Sequence, residues 1–309
     1  MLKRLEENFN LLNKSFRKNY TLYLFLLLPV LYFIVFKYIP MLGNAIAFRK
    51  YVPGQSYFGV KWEGFKYFEM FLHDPQFWSA FKNTLVLSFT TLLITFPLPI
   101  IFSLLLNEIE GKYFKKVAQS ITIIPKFLST VVVIMIINTL LSPSNGIVNM
   151  ILEKIGVGSI YFLNEASWFR PVYIVSEIWQ FLGWNSIIYM AVLSSADQQQ
   201  YEAAMVDGAN RFKQIIHVTL PVLLPTIAIN LIIAVGNVLI LGFEKILLMY
   251  TPTTYVTSDV IQTFVYRIGL MGNNFSYGTA VGLFQSVISL LLLWITNKIT
   301  NKYWECGLW

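Results

Sequence analysis

The sequence predicts an all-α fold, a polytopic membrane helix bundle with six transmembrane helices. Three observations predict it. Hydrophobic residues make up 56 % of the chain and charged residues only 13 %, against about 25 % charged in a soluble domain. Six stretches, 21–41, 84–106, 118–141, 171–193, 221–242 and 277–297, each approach the length an apolar helix needs to cross a bilayer. Lipid offers no partner to backbone N–H and C=O groups, so each such stretch must close its own hydrogen bonds as a helix.

The elements follow in order. Residues 1–20 form a basic leader with Lys3, Arg4, Lys14, Arg17 and Lys18. The apolar run behind it is long enough to span and has no small-residue cleavage site after it, so it reads as a retained first span. An external loop at 42–83 carries the aromatic stretch "WEGFKYFEMFLHDPQFWSAFKNT", with a turn expected at Asp74-Pro75. Kinks are expected at Pro29, Pro97, Pro99, Pro125 and Pro225 inside the spans. Lys126 falls near the inner end of the third span, where its ammonium can snorkel to the headgroups. No internal repeat interrupts the chain, which reads as one membrane domain over 1–309.

An even number of spans leaves both termini on one side of the membrane. The loops on that side hold 12 lysines and arginines against 9 on the other, which favours cytoplasmic termini. The net charge of +7 is what lysine and arginine at cytoplasmic membrane surfaces ordinarily give such a chain. No basic stripe suggests nucleic acid. Cys306 is the single cysteine, so no intrachain disulfide can form, and His73 and His217 look like ordinary loop residues. No His/Cys cluster has metal-ligand spacing.

The loop at 194–220 then begins in the cytoplasm. Its stretch "YEAAMVDGANRFKQIIHVTLPVLLPTI" is too charged for a span. Tyr201 to Gly208 can make two helical turns, with Glu202 near the positive end of the helix dipole. Asp207-Gly208 signals a turn, a second short helix fits 209–217, and Pro221 suits the first turn of the next span. Two readings are open on this basis: an interfacial helix that covers the bundle, or a docking element that offers Glu202 to a cytoplasmic partner.

The spacing Glu202-Ala203-Ala204, Gly208, Val218, Leu220-Pro221 resembles the EAA loop of ATP-binding-cassette importer permeases, with valine where that family usually has isoleucine. The resemblance extends along nearly the whole chain. "LLPVLYFIVFKYIPMLGNAIAF", "EIWQFLGWNSIIYMAVL", "TSDVIQTFVYRIGL" and "NFSYGTAVGLFQSVISL" are similar to polysaccharide and oligosaccharide permeases of the maltose-type importers, although Gly278 stands where alanine is expected. The resemblance implies a type I importer permease fold in a bacterial plasma membrane. It implies that Glu202, Ala203, Ala204, Asp207 and Gly208 contact a separate ATPase, with Arg211 at the rim or simply solvated. It also implies a second permease forming a heterodimer, two ATPase subunits and an extracytoplasmic solute-binding protein.

No G-x-x-x-x-G-K-[ST] phosphate loop occurs in the chain. ATP and magnesium are therefore expected in the partner ATPase, and no cofactor or metal in this chain, which is expected to be a transport subunit and not an enzyme. Polar residues inside spans are candidates for the pathway: Glu177, Trp179, Gln180, Trp184 and Asn185 in the fourth, Asn230 and Asn237 in the fifth, Asn138 in the third. Trp179, Gln180 and Trp184 offer a sugar both ring faces and amide groups, with Gly183 leaving a gap beside Trp179. The competing reading is that these side chains hold helices together. Glu244, Lys245 and Arg267, near the outer ends, read as an external gate, as contacts for the binding protein, or as water-exposed charges. Two rival functions remain at this level: an ion-coupled secondary transporter using Glu177, for which no partner charge is evident, and a membrane sensor or scaffold.

Overall fold

The computed structural model describes residues 18–309, so the leader lies outside the described residues except for its end. Helix α1 (Tyr20–Phe33) runs on through wide π-helical turns at Ile34–Tyr38, giving a 29-residue segment, Tyr20–Phe48, long and apolar enough to cross a membrane. Its most apolar window is 0 % buried. A helix that is hydrophobic all round needs an apolar surrounding on every side, and the rest of this chain does not supply it.

A short antiparallel pair follows, β1 (Arg49–Lys50) and β2 (Lys61–Trp62), with Arg49 opposite Trp62. It is a small departure from the all-α expectation. Helix α2 (Lys66–Leu72) comes next. The turn expected at Asp74-Pro75 is instead a helix start. The Asp74 carboxylate accepts a hydrogen bond from the Gln76 N–H at 2.8 Å, and Pro75 takes the first helical position, where its missing N–H costs nothing. Helix α3 (Pro75–Thr95) therefore begins well before the span predicted at 84–106. Its foot is fastened by aromatic packing, with Phe71 and Phe77 rings 4.7 Å apart, and by the Tyr277 hydroxyl donating to Asp74 at 3.0 Å. Helix α4 (Pro97–Asn107) completes that crossing.

The third predicted span, 118–141, is not one rod. Helix α5 (Lys112–Ile123) and helix α6 (Thr130–Leu140) meet at a bend of 105° across a tight 3₁₀ turn at Ile124–Phe127. Pro125 cannot donate to the preceding turn, and the Ser129 hydroxyl starts α6 afresh by accepting from the Val132 N–H. After α7 (Ile147–Lys154), the long helix α8 (Ala166–Ser194) has 29 residues, but Glu177, Gln180 and Asn185 interrupt its apolar run. The remaining helices are α9 (Gln198–Val206), α10 (Arg211–Gln214), α11 (Leu220–Gly236), α12 (Phe243–Met249), α13 (Tyr255–Ser258), α14 (Ile261–Val265) and α15 (Phe275–Trp304). Among the described residues, the six predicted spans thus correspond to four apolar segments, one bent pair and the polar helix α8.

Helix α8 is the hub. It packs on α3, α4, α5 and α11, while α11 also packs along α15. Leu87, Val133, Phe169, Tyr173 and Ile246 form a buried core between α3, α6, α8 and α12. A second core of Phe71, Phe77, Phe264 and Tyr277 fastens α2 and α3 to α14 and α15. A third, at the other end of α8, joins Tyr189 and Leu193 to Leu223 and Ile227. The stretch 243–276, expected as a loop, is drawn into the bundle. The Asn83 amide donates to the Val256 and Asp259 carbonyls at 3.0 and 3.1 Å, and Arg170 donates to the Asn83 amide oxygen at 2.9 Å.

Candidate substrate cleft and coupling element

The EAA-like stretch folds as two short helices. The Asp197 carboxylate caps α9 by accepting from the Gln199 N–H at 3.0 Å. Gly208 ends the turn with φ +74°, a conformation that costs a side-chain-bearing residue about 1–2 kcal/mol. The Asn210 side chain caps α10 by accepting from the Lys213 N–H at 2.9 Å. From there no break occurs. A π-helical turn at Ile215–Thr219 carries α10 into α11, and Arg211–Gly236 is one 26-residue helical segment. The sequence predicted a second helix over 209–217 and then a separate span. The Tyr201 hydroxyl donates to Thr219 at 3.1 Å and the Gln214 amide donates to the Ala209 carbonyl at 2.9 Å, fastening α9 to this rod.

Glu202, Ala203, Asp207 and Gly208 are exposed and Ala204 is half-buried. Met205, Val206 and Phe212 add exposed apolar surface beside them, Val206 at 89 %. Those three were not singled out from sequence, because a spacing motif names the charged and small residues and leaves the apolar ones between them unmarked. Arg211 is not merely solvated. Its guanidinium lies 3.6 Å from Glu108 and 3.0 Å from Glu110, bracing α10 against the end of α4. His217 and His73 each hydrogen-bond the carbonyl one helical turn back.

Within the bundle, α3, α8 and α11 enclose a cleft. One lobe of about 400 Å³ is lined by Thr95, Trp184, Asn185, Tyr189 and Asn230. A second lobe of about 170 Å³ is lined by Ser88, Thr91, Tyr173, Glu177 and Asn237, and Leu92, Thr95 and Ala234 border both. The fold thus brings five predicted residues together: Glu177, Trp184, Asn185, Asn230 and Asn237. It separates the others. Trp179 lines an apolar recess of about 440 Å³ with Ile136, Leu140 and Val175 on another face of α8. Five residues at 100° each place Trp179 and Trp184 on different sides of a helix, so they make no common platform. Gln180 is buried, and its side-chain carbonyl oxygen has no partner among the described residues. Asn138 lines a separate cavity with Asn164 and Thr251.

The gap expected at Gly183 is already filled. A Cβ there would meet the backbone of Thr122 at 2.4 Å, so this glycine lets α5 pack directly on α8. Ser88, Thr91 and Thr95 were missed in the sequence, although i, i+3 and i+7 spacing puts them on one face of α3. Lys245 is the other correction. It is not water-exposed but 4 % exposed, with its ammonium 2.6 Å from Glu177. The partner charge for Glu177 that the sequence left unidentified is therefore Lys245. Glu244 is exposed as expected. Arg267 binds Asp259 with both terminal nitrogens, at 3.1 and 2.7 Å, and that carboxylate holds the guanidinium above its ordinary pKa. Among the described residues, no three His, Cys, Asp or Glu side chains gather as a metal site would require.

A helix bundle with a polar cleft between its spans, continuous with a capped and exposed element at its end, is the architecture of a membrane transport subunit. The family described as "Binding-protein-dependent transport system inner membrane component" matches residues 100–304, and the chain belongs to it. Among curated relatives, the polygalacturonan/rhamnogalacturonan transport system permease protein YteP of Bacillus subtilis (strain 168) is 40 % identical, with 98 % of this chain and 94 % of YteP covered. Among solved structures, a bacterial ABC transporter involved in the import of the acidic polysaccharide alginate matches with a TM-score of 0.87 at 42 % identity, covering 94 % of this chain and 99 % of the other. A bacterial alginate ABC transporter in complex with an alginate pentasaccharide-bound periplasmic protein matches with a TM-score of 0.88 at 41 % identity, covering 96 % and 99 %. The chain is a permease subunit of a binding-protein-dependent ABC importer.

Proposed function

We propose that this permease carries acidic oligosaccharides, fragments of uronate-containing polysaccharides, across a bacterial plasma membrane. The observation that carries the reading is the likeness over nearly the full chain to a transporter of alginate. The relative whose name specifies polygalacturonan and rhamnogalacturonan points the same way. The chain crosses six times with both termini cytoplasmic and pairs with a second permease. An extracytoplasmic binding protein delivers the sugar, and two ATPase subunits, which hold ATP and magnesium, dock beneath.

In this mechanism Glu202, Ala203, Ala204, Asp207 and Gly208 form the face that sits on the ATPase, with Met205, Val206 and Phe212 supplying its apolar contact. Arg211 acts one step back by bracing α10. Closure of the ATPases moves α9, and the unbroken segment Arg211–Gly236 carries that movement to the cleft wall at Asn230. Two global states, inward- and outward-open, are then biased by ligands on opposite faces. Trp184 offers a flat face to a sugar ring, and Asn185, Asn230 and Asn237 offer donors and acceptors to its hydroxyls.

The test is to purify the tagged chain with its partners, reconstitute the complex in proteoliposomes, and measure uptake of galacturonate and alginate oligomers against neutral oligosaccharides. Uptake and stimulated ATP hydrolysis with the acidic oligomers support the reading. A complex that moves only neutral sugars overturns the cargo, and a chain that transports without an ATPase overturns the coupling.

A further inference from the structure

We propose that Lys245, with Glu177 as an exchangeable counter-ion and Lys126 as a second cation, selects cargo that carries carboxylates. The inference rests on the acidic-cargo reading above and assigns it to particular side chains.

The geometry is a charge cluster around one ring. The Lys245 ammonium lies 5.6 Å from the centre of the Phe181 ring and the Lys126 ammonium 4.3 Å from it. Glu177, bonded to Lys245 at 2.6 Å, is the acid of the cluster. Two ammonium groups and one carboxylate leave one positive charge uncompensated. Uncompensated charge within a membrane is costly unless a partner meets it. Lys126 stands in the 3₁₀ turn Ile124–Phe127, just before the 105° bend between Lys112–Phe127 and Thr130–Leu140.

The cluster opens on the cleft. The Glu177 side chain is 21 % exposed against 5 % for Lys245, and it lines the smaller lobe. Ser88 and Thr91 line the same lobe, their hydroxyls shielded from solvent and without a hydrogen-bond partner among the described residues, and Ser88 is only 2 % exposed. Buried hydroxyls are normally satisfied. A hydroxyl both donates and accepts, which is what a sugar hydroxyl requires opposite it. The lobe therefore presents the Glu177 carboxylate, with the Lys245 ammonium bonded behind it, on one side and the Ser88 and Thr91 hydroxyls on another. A uronate residue, with a carboxylate on a ring of hydroxyls, matches that ammonium and those hydroxyls. As it arrives, its carboxylate takes the Lys245 ammonium and Glu177 turns toward the open lobe. A neutral sugar cannot make that exchange.

A different role would be a fastener, in which the ion pair only ties α8 to α12. The two roles predict different symmetry. A fastener suffers equally from loss of either charge, whereas a selector needs the cation and is restrained by the anion. The experiment reconstitutes the whole complex with Lys245→Gln, Glu177→Gln, the double variant and Lys126→Gln. It reads the ratio of galacturonate-trimer uptake to methyl-esterified-trimer uptake at saturating loaded binding protein. The expected result is a ratio lowered about tenfold by Lys245→Gln, the scale of one hydrogen bond to a charged group, and lowered less by Lys126→Gln. Glu177→Gln keeps or raises the ratio. The double variant, which removes both members of the buried pair together and so protects folding, keeps the ratio low. Equal losses of both cargoes in both single variants overturn the proposal in favour of the fastener. An unchanged ratio in the double variant, with wild type carrying the acidic trimer, overturns it while the acidic-cargo reading stands. A wild-type complex that refuses the acidic trimer removes both.

Discussion

The candidate coupling element and the candidate substrate cleft are joined by one continuous helical segment, Arg211–Gly236, yet they are encoded in different ways. The element at 197–219 is built from near neighbours in sequence. Its caps reach two or three residues, its turn is one glycine, and its charges face water. The cleft is built from Ser88, Glu177 and Asn237, which lie far apart in the chain and meet only because α3, α8 and α11 pack together. A local motif survives in the sequence as a spacing. A wall shared by three helices does not.

The predictions that press on this contrast begin with the largest effect. Glu202→Ala is expected to lower cargo-stimulated ATP hydrolysis about 100-fold in the assembled complex, the scale of truncating one member of an interfacial charge pair. Unaltered, fully coupled hydrolysis would remove the docking role. Gly183→Val comes next. With the Thr122 backbone 2.4 Å from where a Cβ would stand, overpacking of about 1–3 kcal/mol is expected. Thermal unfolding in detergent reads it, and a variant as stable as wild type would mean that α5 does not press on α8. Trp184→Ala should raise the half-saturating concentration of cargo about tenfold, the effect of losing a ring that stacks on the sugar, while Trp179→Ala on the apolar face changes it by less than about twofold. Reversed effects would move the pathway to the other side of α8. The smallest effect belongs to Arg211→Ala. The side chain is 68 % exposed, and exposed ion pairs contribute only about 0–1 kcal/mol, so its loss should weaken coupling mildly and less so at high salt.

Much of the fold is legible in the amino-acid sequence. Apolar runs of span length locate the crossings, because lipid imposes length and helicity together. Three places are not legible, each for a physical reason. Asp74-Pro75 is a turn signal when read alone and a helix start once the Asp74 side chain caps the Gln76 N–H. The third span bends by 105° just after the turn that holds Pro125, where sequence marks a kink but not its size. Lys245 looks like an outer-end charge because hydropathy sees only its own neighbourhood, and its carboxylate waits 68 residues earlier on another helix. In the site, the polar residues of α8 stand out as a set, and helical phase then divides them: Glu177, Trp184 and Asn185 to the cleft, Trp179 away from it.

The unbroken run from Arg211 to Gly236 has a consequence in leverage. Asn230 stands about 28 Å along the axis from Arg211 at 1.5 Å per residue. A tilt of about 5° at the foot of such a rod displaces its far part by about 2.5 Å, close to the length of a hydrogen bond. In the proposed mechanism a small rocking at the membrane surface is thereby magnified into the difference between gripping a sugar hydroxyl and missing it. The arm is not perfectly stiff, since Pro225 sits within it and cannot donate to the turn below. Stiffening that point should lengthen the reach of each stroke, and softening it further should let the foot move while the grip stays still.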